Sequence, residues 1–361
     1  MGSRLIRYAL LGLFVLIIGK SIIFSIPRGN DLRDFGAFLA SGHAITQGAN
    51  PYAEVALVKY IELKGVSLTP GINLNPPLLL FPFVAVQELN PVKAFRAWYL
   101  ISLTCYLVTV GLLARAYLVD LLRITWALAL AGLWFTLHLG QIYVPLALIV
   151  TAAWFLMLRG YMKWAGVLIG CVVAIKPNFA VWPVLFLFAG HYEAAGISLV
   201  TAALLSFLPL LVYSPSVYTD WIAGLPTNLF SGPVNASLIG FMADLDLARL
   251  GPPLAVVLLV VLVCWAWKLR PPAVDVSGIA LIAGILTSPV AWIGYTVLLL
   301  PLFLTRTWSF SLTLAAILLT IPSYVVCNSK PLWLFGSIYV FGLLIVLVES
   351  LQLKKRCDFF A

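Results

Sequence analysis

"RAWYLISLTCYLVTVGLLARA", residues 96–116, carries no charge between Arg96 and Arg115. A run of this kind matches the roughly 20 apolar residues that an α-helix needs to cross a bilayer core. Its apolar residues are continuous, whereas a transmembrane strand would alternate apolar and polar positions. Only a helix then satisfies every backbone N–H and C=O within the segment. The texture of this stretch extends through the whole chain of 361 residues, which is 63% hydrophobic and 10% charged, with a mean hydropathy of +1.06. That is more apolar surface than a soluble domain can hide. The sequence therefore predicts an all-α polytopic membrane protein, one integral domain over residues 1–361, with no internal repeat and no soluble appendage.

Taking Pro, Gly and charged interruptions as boundaries gives membrane segments near 5–26, 96–116, 124–138, 142–158, 164–176, 178–190, 194–213, 252–269, 275–287, 290–304, 308–326 and 332–351. Several fall short of a full span, so the pattern reads as about twelve transmembrane helices and half-helices, broken at points such as Lys176-Pro177 and Ser288-Pro289. With the N terminus inside, Arg4, Arg7, Arg115, Arg123, Arg159, Lys163, Lys268, Arg270, Arg306, Lys354, Lys355 and Arg356 all fall on the cytoplasmic side. This is the positive-inside pattern, and it places both termini in the cytoplasm. The excess of base follows from topology, because no basic stripe interleaved with aromatics suggests nucleic acid. Five scattered cysteines and three distant histidines form no metal spacing, so no metal or cofactor is expected. The first segment, preceded by Arg4 and Arg7, reads as a retained anchor rather than a cleaved signal.

This threading leaves two long stretches outside, 27–95 and 214–251. In the first, 35–45 reads as an interfacial amphipathic helix, and 76–86 ("PPLLLFPFVAV") as a helix too short to span, dipping into the outer leaflet.

Six stretches carry a family resemblance. "DFGAFLASGHAITQGANPY" (34–52) resembles the first outer loop of polyprenol-phosphate-dependent mannosyltransferases of glycosyltransferase family 87, in the GT-C superfamily. "NPP" (75–77) resembles the family's Tyr-Pro-Pro, with Asn75 replacing the aromatic, and "LGQIY" (139–143) its Gly-Gln-x-Asn, with Tyr143 replacing the Asn. "AGVLIGCVVAIKPNFAVWPVLF" (165–186), "NASLIG" (235–240) and "TSPVAWIGYTVLLLP" (287–301) are similar to its Lys-Pro, Asn-x-Ser-Leu and Ser-Pro-x-x-Trp segments. The family commonly has a histidine after that tryptophan, where this chain has Ile293 and Gly294.

The resemblance implies a GT-C-type bundle in the plasma (inner) membrane, with its active site on the extracytoplasmic face. It implies transfer of a sugar, foremost mannose, with inversion, from a polyprenyl-phosphate donor to a hydroxyl of a lipid-linked glycan acceptor. Asp34 is the expected general base, with Asp31 as the alternative, since "DLRD" could place both carboxylates on one helical face. The leaving phosphate needs cationic or dipolar stabilisation, for which Lys176, Arg249, Arg33, Asn235 and Ser237 are candidates. Gln141, His43, Trp292 and Tyr295 are further candidates for contact with sugar or lipid. Competing roles remain for several of these: Lys176 could snorkel, Gln141 could bond between helices, His43 could be a surface histidine, and Asn235-Ala236-Ser237 is also a glycosylation sequon. Arabinose, glucose or galactose could replace mannose, and a transporter or flippase of a lipid-linked precursor is the alternative from another class.

Overall fold

The computed structural model describes residues 2–67, 73–225, 231–328 and 337–352. Helix α1 (Gly2–Ser25) leads into three short helices of the first long loop, α2 (Arg33–Thr46), α3 (Glu54–Lys64) and α4 (Leu80–Val86). The chain continues through α5 (Pro91–Tyr117), α6 (Leu121–Ala129), α7 (Ala131–Leu139), α8 (Tyr143–Leu158), α9 (Met162–Ile175), α10 (Val181–Ala189) and α11 (Tyr192–Phe207). A second long loop holds α12 (Ser216–Gly224) and α13 (Leu238–Asp244), and the rest is α14 (Gly251–Leu269), α15 (Ala273–Leu286), α16 (Leu300–Leu304), α17 (Phe310–Thr320), α18 (Ser323–Asn328) and α19 (Ile338–Gln352). Among the described residues extended pairing is limited to two isolated bridges, Asp31 with Ser67 and Asn235 with Trp292. The protein is an all-α multi-pass membrane protein.

Five helices or broken helices, at Arg4–Ser25, Pro91–Tyr117, Leu121–Leu139, Tyr192–Leu211 and Ala248–Leu269, are long and apolar enough to cross a bilayer. The others are shorter, and the breaks have local causes. The segment expected at 124–138 is interrupted at Leu130, whose extended backbone frees carbonyls. Tyr106 Oη donates to Ala127 O at 2.6 Å and Trp134 Nε1 to Leu128 O at 2.8 Å, so these groups stay satisfied at membrane depth. The segment expected at 290–304 begins as a 3₁₀ helix, Ile293–Leu299, before α16, and that at 308–326 breaks at Ile321, whose carbonyl accepts from Tyr339 Oη at 2.7 Å. Residues 332–336 of the last segment lie outside the described residues.

Small residues set the closest packing. Helices α9 and α11 approach so tightly that a methyl at Gly166 would lie 2.8 Å from Ala194 O, and one at Gly170 2.6 Å from Ser198 O. Without a hydrophobic driving force between helices in lipid, such close approach is what holds membrane helices together. The outer faces of α5, α11 and α14 stay apolar and exposed, as at Leu100, Ile101, Val200, Leu204, Val256 and Val260, a surface suited to lipid chains rather than water.

Helix α2 is covered more fully than the amphipathic pattern at 35–45 suggests: residues Phe35 to Gly42 are all buried. Gly42 lets α4 come so close that a methyl there would be 2.6 Å from the Phe83 carbonyl carbon.

One cluster of charges joins the start of α1 to the connection after α5, the first turn of α15 and the connection after α16. In it Asp120 meets Arg7 (3.5 Å) and Arg123 (3.2 Å), Arg123 Nη1 donates to Arg306 O (2.7 Å), and Arg306 meets Asp275 (3.7 Å) and Ser350 Oγ (2.8 Å). These include bases assigned to one side from the sequence; Lys354, Lys355 and Arg356 lie outside the described residues. The two long loops lie at connections that do not carry this cluster.

Candidate active site

The loop before α2 is fastened by Leu32 N donating to Ser67 O at 2.9 Å and Ser67 N to Asn30 O at 3.1 Å. Helix α2 starts immediately, and Asp34 lies in its first turn. Phe35 packs on Phe83, Phe95 and Trp98, with ring centroids 5.7, 5.3 and 6.1 Å apart. Trp98 Nε1 in turn donates to Gly140 O at 2.9 Å. Gly140 has φ +72° and a methyl on it would lie 2.6 Å from Phe35 Cβ, so only glycine lets the end of α7 pass beneath α2. The result brings Gln141 Nε2 to 2.6 Å from Asp34 Oδ2, a short charge-assisted hydrogen bond. Gln141 Oε1 is buried and has no hydrogen-bond partner among the described residues, leaving an acceptor for a ligand hydroxyl.

Burial pushes the Asp34 carboxyl above the usual carboxylate range, while the Gln141 hydrogen bond and the charges of Lys176 and Arg33 pull it down. Lys176 is the buried cation of the site. It lies between α9 and the 3₁₀ turn Pro177–Ala180 and is 7% exposed. Its Nζ donates to Asn75 Oδ1 at 2.7 Å and lies over the rings of Tyr143 (4.9 Å) and Tyr295 (5.4 Å), whose centroids are 4.2 Å apart. Among the described residues it forms no ion pair with a carboxylate. Snorkelling to water is thereby replaced by an aromatic and amide cradle.

Asn75 is held by its neighbour and by the first loop: its Nδ2 donates to Asn73 Oδ1 at 2.9 Å, and its carbonyl accepts from Tyr52 Oη at 3.1 Å. Asn75 and Tyr143 stand where the chain departs from the family pattern, and both meet Lys176. The third departure, Gly294, adjoins them: a methyl there would lie 2.6 Å from Tyr143 Cδ2 and 2.8 Å from Thr136 Oγ1. The bulk of Tyr143 fills the space that a side chain at 294 would need. Reading the sequence assigned no role to Asn75 or Tyr143; the departures themselves were the only signal.

The structure thus brings together Asp34, Gln141, Lys176 and Tyr295, with the charge of Arg33 also acting on Asp34; Asp31, Asn235, Ser237 and His43 make different contacts. Asp31 precedes α2 in the bridge with Ser67 and pairs with Arg33 Nε at 2.8 Å, so the two carboxylates do not share a helical face. Asn235 Oδ1 accepts from Ala291 N (3.0 Å) and Ser237 N (3.2 Å), and Ser237 Oγ caps α13 through Gly240 N at 3.0 Å. Both residues are fully buried and join the second loop to the segment before Ile293, with Trp292 opposite Asn235. His43 Nδ1 lies 3.0 Å from Gln87 Oε1 near the far end of α2, and Arg249 is exposed on the turn before α14.

A carboxylate held in a hydrogen bond, beside an amide acceptor and a buried ammonium, can take a proton from a hydroxyl and offset developing negative charge. The family model of glycosyltransferase family 87 matches residues 73–289, a span that contains Gln141 and Lys176 but not Asp34 or Tyr295. Neither a curated protein nor a solved structure matches the chain. The family match covers more than half of the chain, decides between the enzyme and transporter readings, and shows that this membrane protein belongs to glycosyltransferase family 87.

Proposed function

We propose that the chain transfers mannose from a polyprenyl-phosphate donor to a hydroxyl of a lipid-linked glycan, on the extracytoplasmic face of the plasma membrane. The observation that carries this reading is the pairing of Asp34 with Gln141 beside the buried Lys176. The acceptor oxygen attacks the anomeric carbon and its proton passes to Asp34. The bond between that carbon and the phosphate oxygen breaks, its electron pair leaves with the phosphate, and configuration inverts. Lys176 offsets the charge that develops on the leaving phosphate. The cradle of Asn75, Tyr143 and Tyr295 orders the Lys176 amine without a carboxylate partner among the described residues, which leaves it for an anionic ligand. No metal takes part in this scheme.

The test is transfer by the purified protein, presented with a panel of polyprenyl-phosphate sugars and extracted membrane lipids. Radiolabel should move from the mannosyl donor to lipid, and Lys176→Ala should lower kcat/KM for that donor about tenfold, as for a charge-assisted contact of about 1.5 kcal/mol. Transfer from the arabinosyl, glucosyl or galactosyl donor instead would overturn the choice of sugar. Unaltered donor kinetics in Lys176→Ala would remove the lysine from the phosphate site.

A further inference from the structure

A second cationic feature includes Arg33, the residue before Asp34 in the chain. The outer end of α1 and the loop after it enclose an open cavity of about 180 Å³, lined in part by Arg28, Asp31, Arg33 and His138. This is far more than the ~10–15 Å³ that one water requires. None of Asn75, Gln141, Tyr143, Lys176 or Tyr295 lines it, so it is separate from the Lys176 cradle.

Each polar group on its wall is held. Arg28 Nη2 donates to Ile23 O at 2.7 Å, Arg33 pairs with Asp31 at 2.8 Å, and His138 Nδ1 lies 3.0 Å from Phe24 O. A carbonyl partner fixes the neutral imidazole with its proton on Nδ1, which leaves Nε2 as an acceptor, or as a donor once protonated. Two guanidiniums against one carboxylate leave the cavity net positive. Arg33 also has φ +52°, a left-handed conformation that costs a non-glycine residue about 1–2 kcal/mol, and it immediately precedes the base. Much of the remaining wall is apolar: Ile23, Phe24 and Ile26 are 57, 57 and 47% exposed, alongside Ser25, Pro27 and Phe95. A cation-lined hollow with a greasy edge fits an anion carried on a lipid chain.

We propose that this cavity binds the phosphate of the lipid that carries the acceptor hydroxyl, making the acceptor an anionic lipid-linked glycan. The proposal rests on Asp34 as base and Lys176 as the cation for the donor phosphate. Inversion puts the attacking oxygen and the leaving phosphate on opposite faces of the sugar, so a phosphate on the acceptor needs a site apart from the Lys176 cradle, and the cavity that includes Arg33, next to Asp34 in the chain, supplies one.

Binding is tested first without turnover, in a Lys176→Ala background that silences the donor site, by titrating dioctanoyl phosphatidic acid against dioctanoyl glycerol. The phosphate probe should bind more tightly than the neutral one, and Arg28→Gln, a change at an exposed side chain, should weaken it about tenfold. Equal binding with and without Arg28 overturns the site. In the otherwise unmodified chain, Arg28→Gln should raise the KM for a phosphate-bearing acceptor about tenfold, with donor KM and kcat parental. A matched acceptor lacking phosphate should show no difference between parent and variant. A rise in donor KM instead would assign the cavity to the donor lipid, and loss of phosphate binding with both KM values unchanged would make it a site for bulk lipid; either result overturns the proposal. Should the parent transfer no sugar from any donor, the transferase scheme fails while the titration still decides whether the cavity holds a lipid phosphate.

Discussion

Ionised Asp34 is costly to bury, and only Gln141, Lys176 and Arg33 offset that cost. Its carboxyl titrates above the ordinary 3.8, so a base at this position gives a rate that rises with pH through that raised value. Replacing Gln141 by leucine removes the hydrogen bond that favours the charged form. The acid limb of kcat/KM should therefore move to higher pH, and a pH–rate profile of the variant checks this. The stability sign is opposite to that of a salt-bridged acid. Because the folded pKa is raised, the contribution of Asp34 is fully present below about 3.8 and is lost as pH rises through the folded value. Asp34→Asn should thus match or exceed the parent in thermal stability at neutral pH. Asp34 stands out in the sequence because it opens a loop motif, whereas Asn75 and Tyr143 do not. Their role depends on Lys176 lying across the bundle, 101 residues from Asn75, and no local pattern encodes that.

The elements around the site depend on close backbone approach more than on amphipathic pattern. On α9, Gly170→Leu would drive a side chain into Ser198 O and Thr201. It should cost about 1–3 kcal/mol as an overpacked contact, read as a lower melting temperature in detergent. Gly196→Ala on α11, with open space around it, is the matched control and should change little. A coupled pair tests the cradle: Gly294→Ala alone should destabilise by a similar ~1–3 kcal/mol, because its methyl meets Tyr143. Tyr143→Ser in the same chain should recover much of that loss, in a double-mutant cycle of melting temperatures. Apolar runs and their Pro and Gly breaks located most helices. Helix α3 and the burial of α2 were not legible, since α3 joins polar and apolar residues without a clear face, and α2 is covered by neighbours distant in sequence.

For the whole molecule, one cluster of charges sets the expected orientation. Arg7, Arg123 and Arg306 gather there with Asp120 and Asp275. A membrane-impermeant thiol reagent should label a cysteine placed at Ala49 from outside and one at Lys163 only after permeabilisation; the inverse labelling would move the site to the cytoplasmic face. Hydropathy and charge made the architecture legible, while the meeting of α2, the end of α7 and the α9–α10 break emerges only from the packed bundle. The most direct test of the account is the initial rate of sugar transfer from polyprenyl-phosphate mannose by purified parent, Asp34→Asn and Asp31→Asn, each first shown to insert and melt like the parent or better. The account predicts a loss of at least about a hundredfold for Asp34→Asn and near-parental transfer for Asp31→Asn. Parental turnover by Asp34→Asn, or loss confined to Asp31→Asn, would contradict it.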